Sequence, residues 1–120
     1  MSAPNTPLTA EALEAFCLSL PGASVSVQWG NDRVFKVGGK MFAVLGMQTG
    51  REPLLSFKCP DMAFALLIEQ EGVRPAPYLA RAKWVQLDRL DRLAPAELAA
   101  RLTQSHALVA ASLPKRLRPS

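Results

Sequence analysis

Few side chains in this sequence are equipped for chemistry, and most of them are disposed against catalysis. His106 is the single histidine. Ser105 stands next to it, but neighbouring positions on a helix point in different directions, so the two form no nucleophile–base pair. Cys17 and Cys59 fall in different predicted elements and read as two reduced, packed thiols, with one disulfide as the arithmetical alternative. There is no C-x-x-C and no Cys/His cluster to hold zinc. Glu11, Glu14, Asp61, Asp91 and Glu97 all sit near predicted helix starts, where a carboxylate complements the helix dipole. Gly38-Gly39 is a tight turn rather than part of a phosphate-cradling motif. The expectation is a protein with no catalytic residue, no metal and no cofactor.

The remaining chemistry is cationic. Lys and Arg number 14 against 10 Asp and Glu, a formal charge of +4. The excess is localised. Residues 29–58 carry Arg33, Lys36, Lys40, Arg51 and Lys58 against Asp32 and Glu52, and residues 93–120 carry Arg101, Lys115, Arg116 and Arg118 against Glu97. Residues 1–28 hold only Glu11 and Glu14, and residues 59–92 balance. Cations on exposed hairpins suit the phosphates of a nucleic acid. They equally suit solubility and the protection of strand edges. Lys115 to Arg118 reads as a frayed, solvated end. Trp84 among lysines suits stacking on a partner, unless the loop from Pro75 to Ala80 folds over it. Trp29 reads as a core residue.

These side chains are positioned by a short series of elements. Thr9 to Leu20 predicts a helix capped by Thr9, with Leu13, Phe16, Cys17 and Leu20 on one face, ended by Pro21-Gly22. From Ala23 the period becomes two, with Val25, Val27 and Trp29 alternating with polar residues, and Gly30-Asn31 turns the chain. Asp32–Val37 and Lys40–Leu45, split by two glycines, predict a hairpin, because primed turns need positive φ. That register sets Val37 opposite Lys40 and Phe35 opposite Phe42, giving a core face of Phe35, Val37, Phe42 and Val44, with Lys36 opposite Met41 on the other face. In the strand Leu54–Cys59, Leu55 and Phe57 face one way and Leu54, Ser56 and Lys58 the other. Pro60 opens a helix that Gly72 closes. Arg74–Arg81 is an irregular, proline-fixed loop. Lys83–Asp88 is a strand with Val85 and Leu87 opposite in face to Trp84 and Gln86. A last helix starts at Pro95, carries Leu98, Leu102, Val109 and Leu113 as its apolar stripe, and stops at Pro114.

A chain of 120 residues, 49% hydrophobic and 20% charged, supports one compact core and is not the composition of a disordered chain. No apolar run approaches the ~18 residues of a membrane span. Met1–Pro7 lacks the basic start and apolar stretch of a secretory leader, which points to a cytoplasmic protein. The order α-β-β-β-β-α-β-α predicts a single α+β domain over residues 1–120, with residues 1–7 and 114–120 as frayed ends. Its antiparallel sheet would have about five strands, with helices packed on one face and the other face partly open.

Several stretches, taken in order, resemble the MmcQ/YjbR family of small bacterial proteins over nearly the whole chain. They are Leu20-Pro-Gly22, Trp29-Gly30, Phe35-Lys-Val-Gly-Gly-Lys-Met-Phe42, Leu55-Ser-Phe-Lys-Cys-Pro60, Gly72-Val73, Pro75-Ala-Pro-Tyr78 and Lys83-Trp-Val85. The resemblance implies an α+β fold similar to type III secretion chaperones or frataxin-like proteins, and a DNA-binding role with a "double wing" of β-hairpins. Its matching basic positions are Lys36, Lys40, Lys58 and Lys83. The expected function is therefore binding of duplex DNA through the phosphates by these four lysines, supported by Arg33, Arg51, Arg74 and Arg81, with Trp84 alongside. No recognition helix is evident, so base-specific reading is not expected. The rival expectation is a protein-interaction or chaperone-like module using the open sheet face around Met41, Leu54 and Trp84. A third is a small-ligand site in the Pro75-to-Trp84 region. A monomer that does not engage membranes is expected throughout.

Overall fold

The computed structural model describes residues 9–119. The expectations placed on residues 1–7 and on Ser120 lie outside the described residues. The chain runs α1 (Ala10–Leu18), β1 (Ala23–Gln28), β2 (Asp32–Val37), β3 (Lys40–Gly46), β4 (Leu54–Lys58), α2 (Asp61–Leu67), β5 (Val73–Pro75), β6 (Trp84–Leu87) and α3 (Pro95–Ala111). Thr9 caps α1, its Oγ1 accepting from the Ala12 N–H at 3.1 Å, and Leu13 and Cys17, one turn apart, are fully buried. Helix α2 is shorter than its predicted span. Leu67 is its last buried position, Glu69, Gln70 and Glu71 have nothing apolar to bury, and Pro60 is the residue before the helix rather than its first.

The sheet is antiparallel throughout, in the order β1-β2-β3-β4-β6-β5. It has six strands because Val73–Pro75, of which Arg74 and Pro75 were read from the sequence as part of the irregular loop Arg74–Arg81, pairs with β6 through Val73↔Leu87 and Arg74↔Gln86. Three residues show no legible alternation, and Pro75 is tolerated because β5 is an edge strand. The two-glycine turn holds Val37 opposite Lys40 and Lys36 opposite Met41, as read from the sequence. A bulge then intervenes, so that Phe35 faces Ala43 rather than Phe42. The extra residue admits both Phe42 and Ala43 to the core and moves Val44 to the far face, opposite Val34.

All three helices cover one face of the sheet. Leu13 and Cys17 of α1, Ala63 and Leu67 of α2, and Leu98, Leu102 and Val109 of α3 join Phe35, Ala43, Leu45, Leu55, Phe57, Val85 and Leu87 in one apolar cluster. Each large side chain so buried contributes roughly 1.5–3 kcal/mol. Two polar residues fix α3 upon this layer. Ser105 Oγ shares its proton between the carbonyls of Lys58 (2.6 Å) and Arg101 (2.9 Å). His106 Nε2 donates to the Pro21 carbonyl at 2.7 Å, with its ring edge-on to Phe42 at 5.3 Å. After Pro114, Lys115–Leu117 form a 3₁₀ turn, and Arg118 donates to the carbonyls of Leu113 (2.9 Å) and Ala111 (3.1 Å), closing the end of α3.

Candidate functional site

The far face of the sheet carries no helix. One row of side chains crosses all six strands there, Ser26, Val34, Val44, Ser56, Gln86 and Arg74. Nearer the two-glycine turn lie Lys36 beside Met41, and Lys58 beside Trp84. Arg74 donates to Gln86 Oε1 from Nε (2.9 Å) and Nη2 (2.6 Å), and Gln86 Nε2 reaches Ser56 Oγ at 3.4 Å. The row is thus polar and linked at the β5 edge and apolar in its middle.

Two aromatic residues stand over this face, Trp29, which the sequence pattern placed in the core, and Tyr78, to which it gave no role of its own. Trp29, expected in the core, is 65% exposed. The phase that Trp29 shares with Val25 and Val27 is already in solvent at Val27, 58% exposed, and β1 stops at Gln28, so Trp29 enters the turn with φ +50°. Tyr78 is fully exposed, with φ +66° in the loop between β5 and β6. That same loop covers Trp84, which is only 4% exposed: the Ala76 N–H donates to the Trp84 carbonyl (2.9 Å) and the Trp84 N–H to the Leu79 carbonyl (3.2 Å). Trp84 therefore offers no stacking face, the outcome foreseen if the loop folds over it. The signal for Tyr78 was its setting, a tyrosine between Pro77 and Leu79 with no alternating neighbours to carry it into a core.

Between the Trp29 turn and the Tyr78 loop runs a groove of about 440 Å³, floored by Met41, Val44 and Ser56 and walled by Pro77 and Leu79, with Asp32 at its side. Asp32 enters no ion pair among the described residues. Met41 also lines a second concavity of about 370 Å³, at the end of the sheet where Lys40, Lys58 and Trp84 meet Val109 and Ser112 at the end of α3. Lys40, opposite core-facing Val37, enters it from the helix side. At the other end, Asp32, Val44 and Ser56 are shared with a hollow of about 260 Å³ that includes Gln48, Leu54 and Gln86. These last three continue into a cavity of about 510 Å³ holding Arg51 and Arg74, with Asp88. Each of the four depressions shares at least one lining residue with the next, and we term the series the trough, basic at both ends and aromatic in the middle. β4 alone spans about 13 Å of it, at the usual strand rise of ~3.3 Å per residue.

The structure divides the expected cations. Lys40 and Lys58 gather at one end of the trough with Lys36 alongside, and Arg51 and Arg74 gather at the other. One Lys58 proton is given to the Ala82 carbonyl at 2.8 Å, which leaves two donors. Arg33 lies on the helix side, where its Nε meets Glu14 Oε1 at 3.2 Å. Lys83 sits over the Phe64 ring of α2 at 5.2 Å, and Arg81 is exposed on the 3₁₀ turn Ala80–Ala82. Burial pushes the thiols of Cys17 and Cys59 up to about 12 and about 11, so both are protonated at neutral pH and make poor nucleophiles. Among the described residues no three His, Cys, Asp or Glu side chains gather to hold a metal, and no helix is long and apolar enough to cross a membrane.

A family model described as YjbR matches residues 18–108. The chain belongs to the YjbR family. The matched segment takes in the trough residues from Trp29 to Asp88 and stops short of Val109 and Ser112, which line its Lys40 end, and of the cations Lys115 to Arg118. The YjbR architecture is also that of a solved structure, Deinococcus radiodurans protein DR2400, which carries a DUF419 domain. It is 25% identical, with a TM-score of 0.81 over 94% of this chain and 88% of the other. No curated protein matches the chain.

Proposed function

We propose that this YjbR protein binds DNA along the far face of its sheet, with the phosphate backbone held by cations at the two ends of the trough. The observation that carries the reading is the pairing of Lys40 with Lys58, and of Arg51 with Arg74, in separate concavities linked by depressions that share lining residues. Each pair comes from different strands or loops, so the fold concentrates charge that is dispersed in sequence. Lys36, next to Met41, adds to the first cluster. The reading assigns binding and no reaction. It includes a cytoplasmic location, supported by two free, buried cysteines.

Titration of labelled DNA at several salt concentrations tests it. Affinity should fall by about 0.7 (single strand) to 0.9 (duplex) log units per log unit of salt for each phosphate contacted. A Lys36→Ala/Lys58→Ala variant should bind more weakly with a shallower slope. No binding at low salt, or an unchanged slope in the variant, refutes the reading. Exposed Trp29 and Tyr78 favour a second reading, a protein partner on the same face.

A further inference from the structure

Trp29 and Tyr78 are large aromatic side chains left in solvent on left-handed backbone, and both border one groove. A left-handed non-glycine residue is strained, and an exposed ring recovers none of that cost through burial. Two such residues facing one channel call for a ligand with a flat apolar surface. The charge around the channel specifies the rest of that ligand. Met41 is the wall common to the aromatic groove and to the concavity of Lys40 and Lys58, so a ring lying against Trp29 or Tyr78 would have an attached anion one side chain away from two ammonium groups. A planar ring carrying a phosphate is a nucleotide.

Resting on the DNA-binding reading, we infer that the trough takes a single strand with at least one unpaired base stacked on Trp29 or Tyr78 and the adjoining phosphate on Lys40 and Lys58. A base still paired in a duplex has its faces occupied by its neighbours and cannot enter. Asp32, the one charged side chain lining the aromatic groove, offers only hydrogen-bond acceptors when ionised, which suits the exocyclic amines of cytosine, adenine and guanine rather than thymine.

The test compares a labelled mixed-sequence 12-mer, the same 12-mer as duplex, and a 12-mer of abasic sugar-phosphate, by fluorescence anisotropy at one salt concentration. The single strand should bind at least tenfold more tightly than the duplex or the abasic strand. Trp29→Ala and Tyr78→Ala should weaken single-strand binding by about 5- to 150-fold for the ring that stacks, the equivalent of ~1–3 kcal/mol. Trp29→Phe, which keeps a ring, should recover part of any loss at Trp29, and the salt slope should stay unchanged in all three variants. Both residues are exposed, so the variants should fold, with circular dichroism as the check. Equal binding of single strand and duplex, with the rings dispensable, overturns the base-stacking assignment and leaves the DNA reading standing. It also returns the groove to a protein partner. No binding of any strand at low salt overturns both.

Discussion

The strain assigned to Tyr78 has a direct energetic signature. Its side chain is fully exposed, so removing it forfeits no burial and a substitution there reports almost purely on the backbone. At an ordinary position alanine is more favourable than glycine by roughly 0.5–1 kcal/mol, because glycine loses more freedom on folding. At φ +66° the order reverses: alanine bears a left-handed cost of roughly 1–2 kcal/mol that glycine escapes. At the middle of those two ranges the difference leaves Tyr78→Gly more stable than Tyr78→Ala by roughly 0.7 kcal/mol. Urea unfolding of the two variants, read as midpoints at a common m value, measures that gap. Alanine as stable as glycine, or more so, refutes the claim that this backbone is strained. The glycine variant should also lose single-strand affinity, so that stability rises as binding falls, the exchange expected where strain is kept for function.

Three further outcomes follow from the same contacts. The thiols of Cys17 and Cys59 stay protonated in the fold up to about pH 12 and 11, whereas in the unfolded chain they ionise near their ordinary value of 9.0. The unfolded state therefore binds fewer protons above pH 9. Stability is full below pH 9 and falls as pH climbs from 9 towards 11, by up to about 1.4 kcal/mol per pH unit for each thiol, and urea midpoints of a Cys17→Ala/Cys59→Ala chain should fall less steeply. A Cβ at Gly38 would run into Leu113 Cδ1 at φ +58°, whereas at Gly39, with φ +83°, it meets nothing within 4 Å. Gly38→Ala should destabilise by roughly 2–4 kcal/mol and Gly39→Ala by about 1, again by urea unfolding. Arg33→Gln should leave DNA affinity and salt slope unchanged, since its guanidinium is tied to Glu14 beneath the sheet, while Lys40→Gln should lower the slope by roughly 0.7–0.9.

Where local pattern and tertiary packing agree, the sequence was readable. Thr9 and the alternation of Leu54–Lys58 each placed an element with its correct inward face, and the two-glycine turn placed the hairpin and the pairing beside it, because each is decided by residues within a few positions of it. The misreadings share a cause. The bulge at Phe42, the three-residue strand β5 and the early end of β1 before Trp29 are each settled by partners elsewhere in the chain: by His106 and Phe35 around Phe42, and by β6 beside β5. A period-two pattern carries no mark of where the partner strand will admit one residue more or stop one residue short.

The same limit explains why the cations were legible and the groove was not. A lysine on the outward phase of a strand can be assigned to a face from its own neighbours, which is how Lys36 and Lys58 were found. A groove needs two walls, and here they are the turn at Trp29 and the loop at Tyr78, 49 positions apart in the chain and joined only by the order of six strands. Their alignment on one channel depends on the loop crossing back over Trp84, held by the backbone bonds to Ala76 and Leu79. Those bonds belong to the Trp84 backbone and survive substitution, but the ring itself, only 4% exposed, fills space that alanine would leave empty. Trp84→Ala should therefore reduce single-strand affinity without any ring contact being lost at the ligand, and Trp84→Phe should restore most of it. If Trp84→Ala binds as the native chain does while its fold is retained, the loop does not position Tyr78, and the groove's second wall must be sought elsewhere.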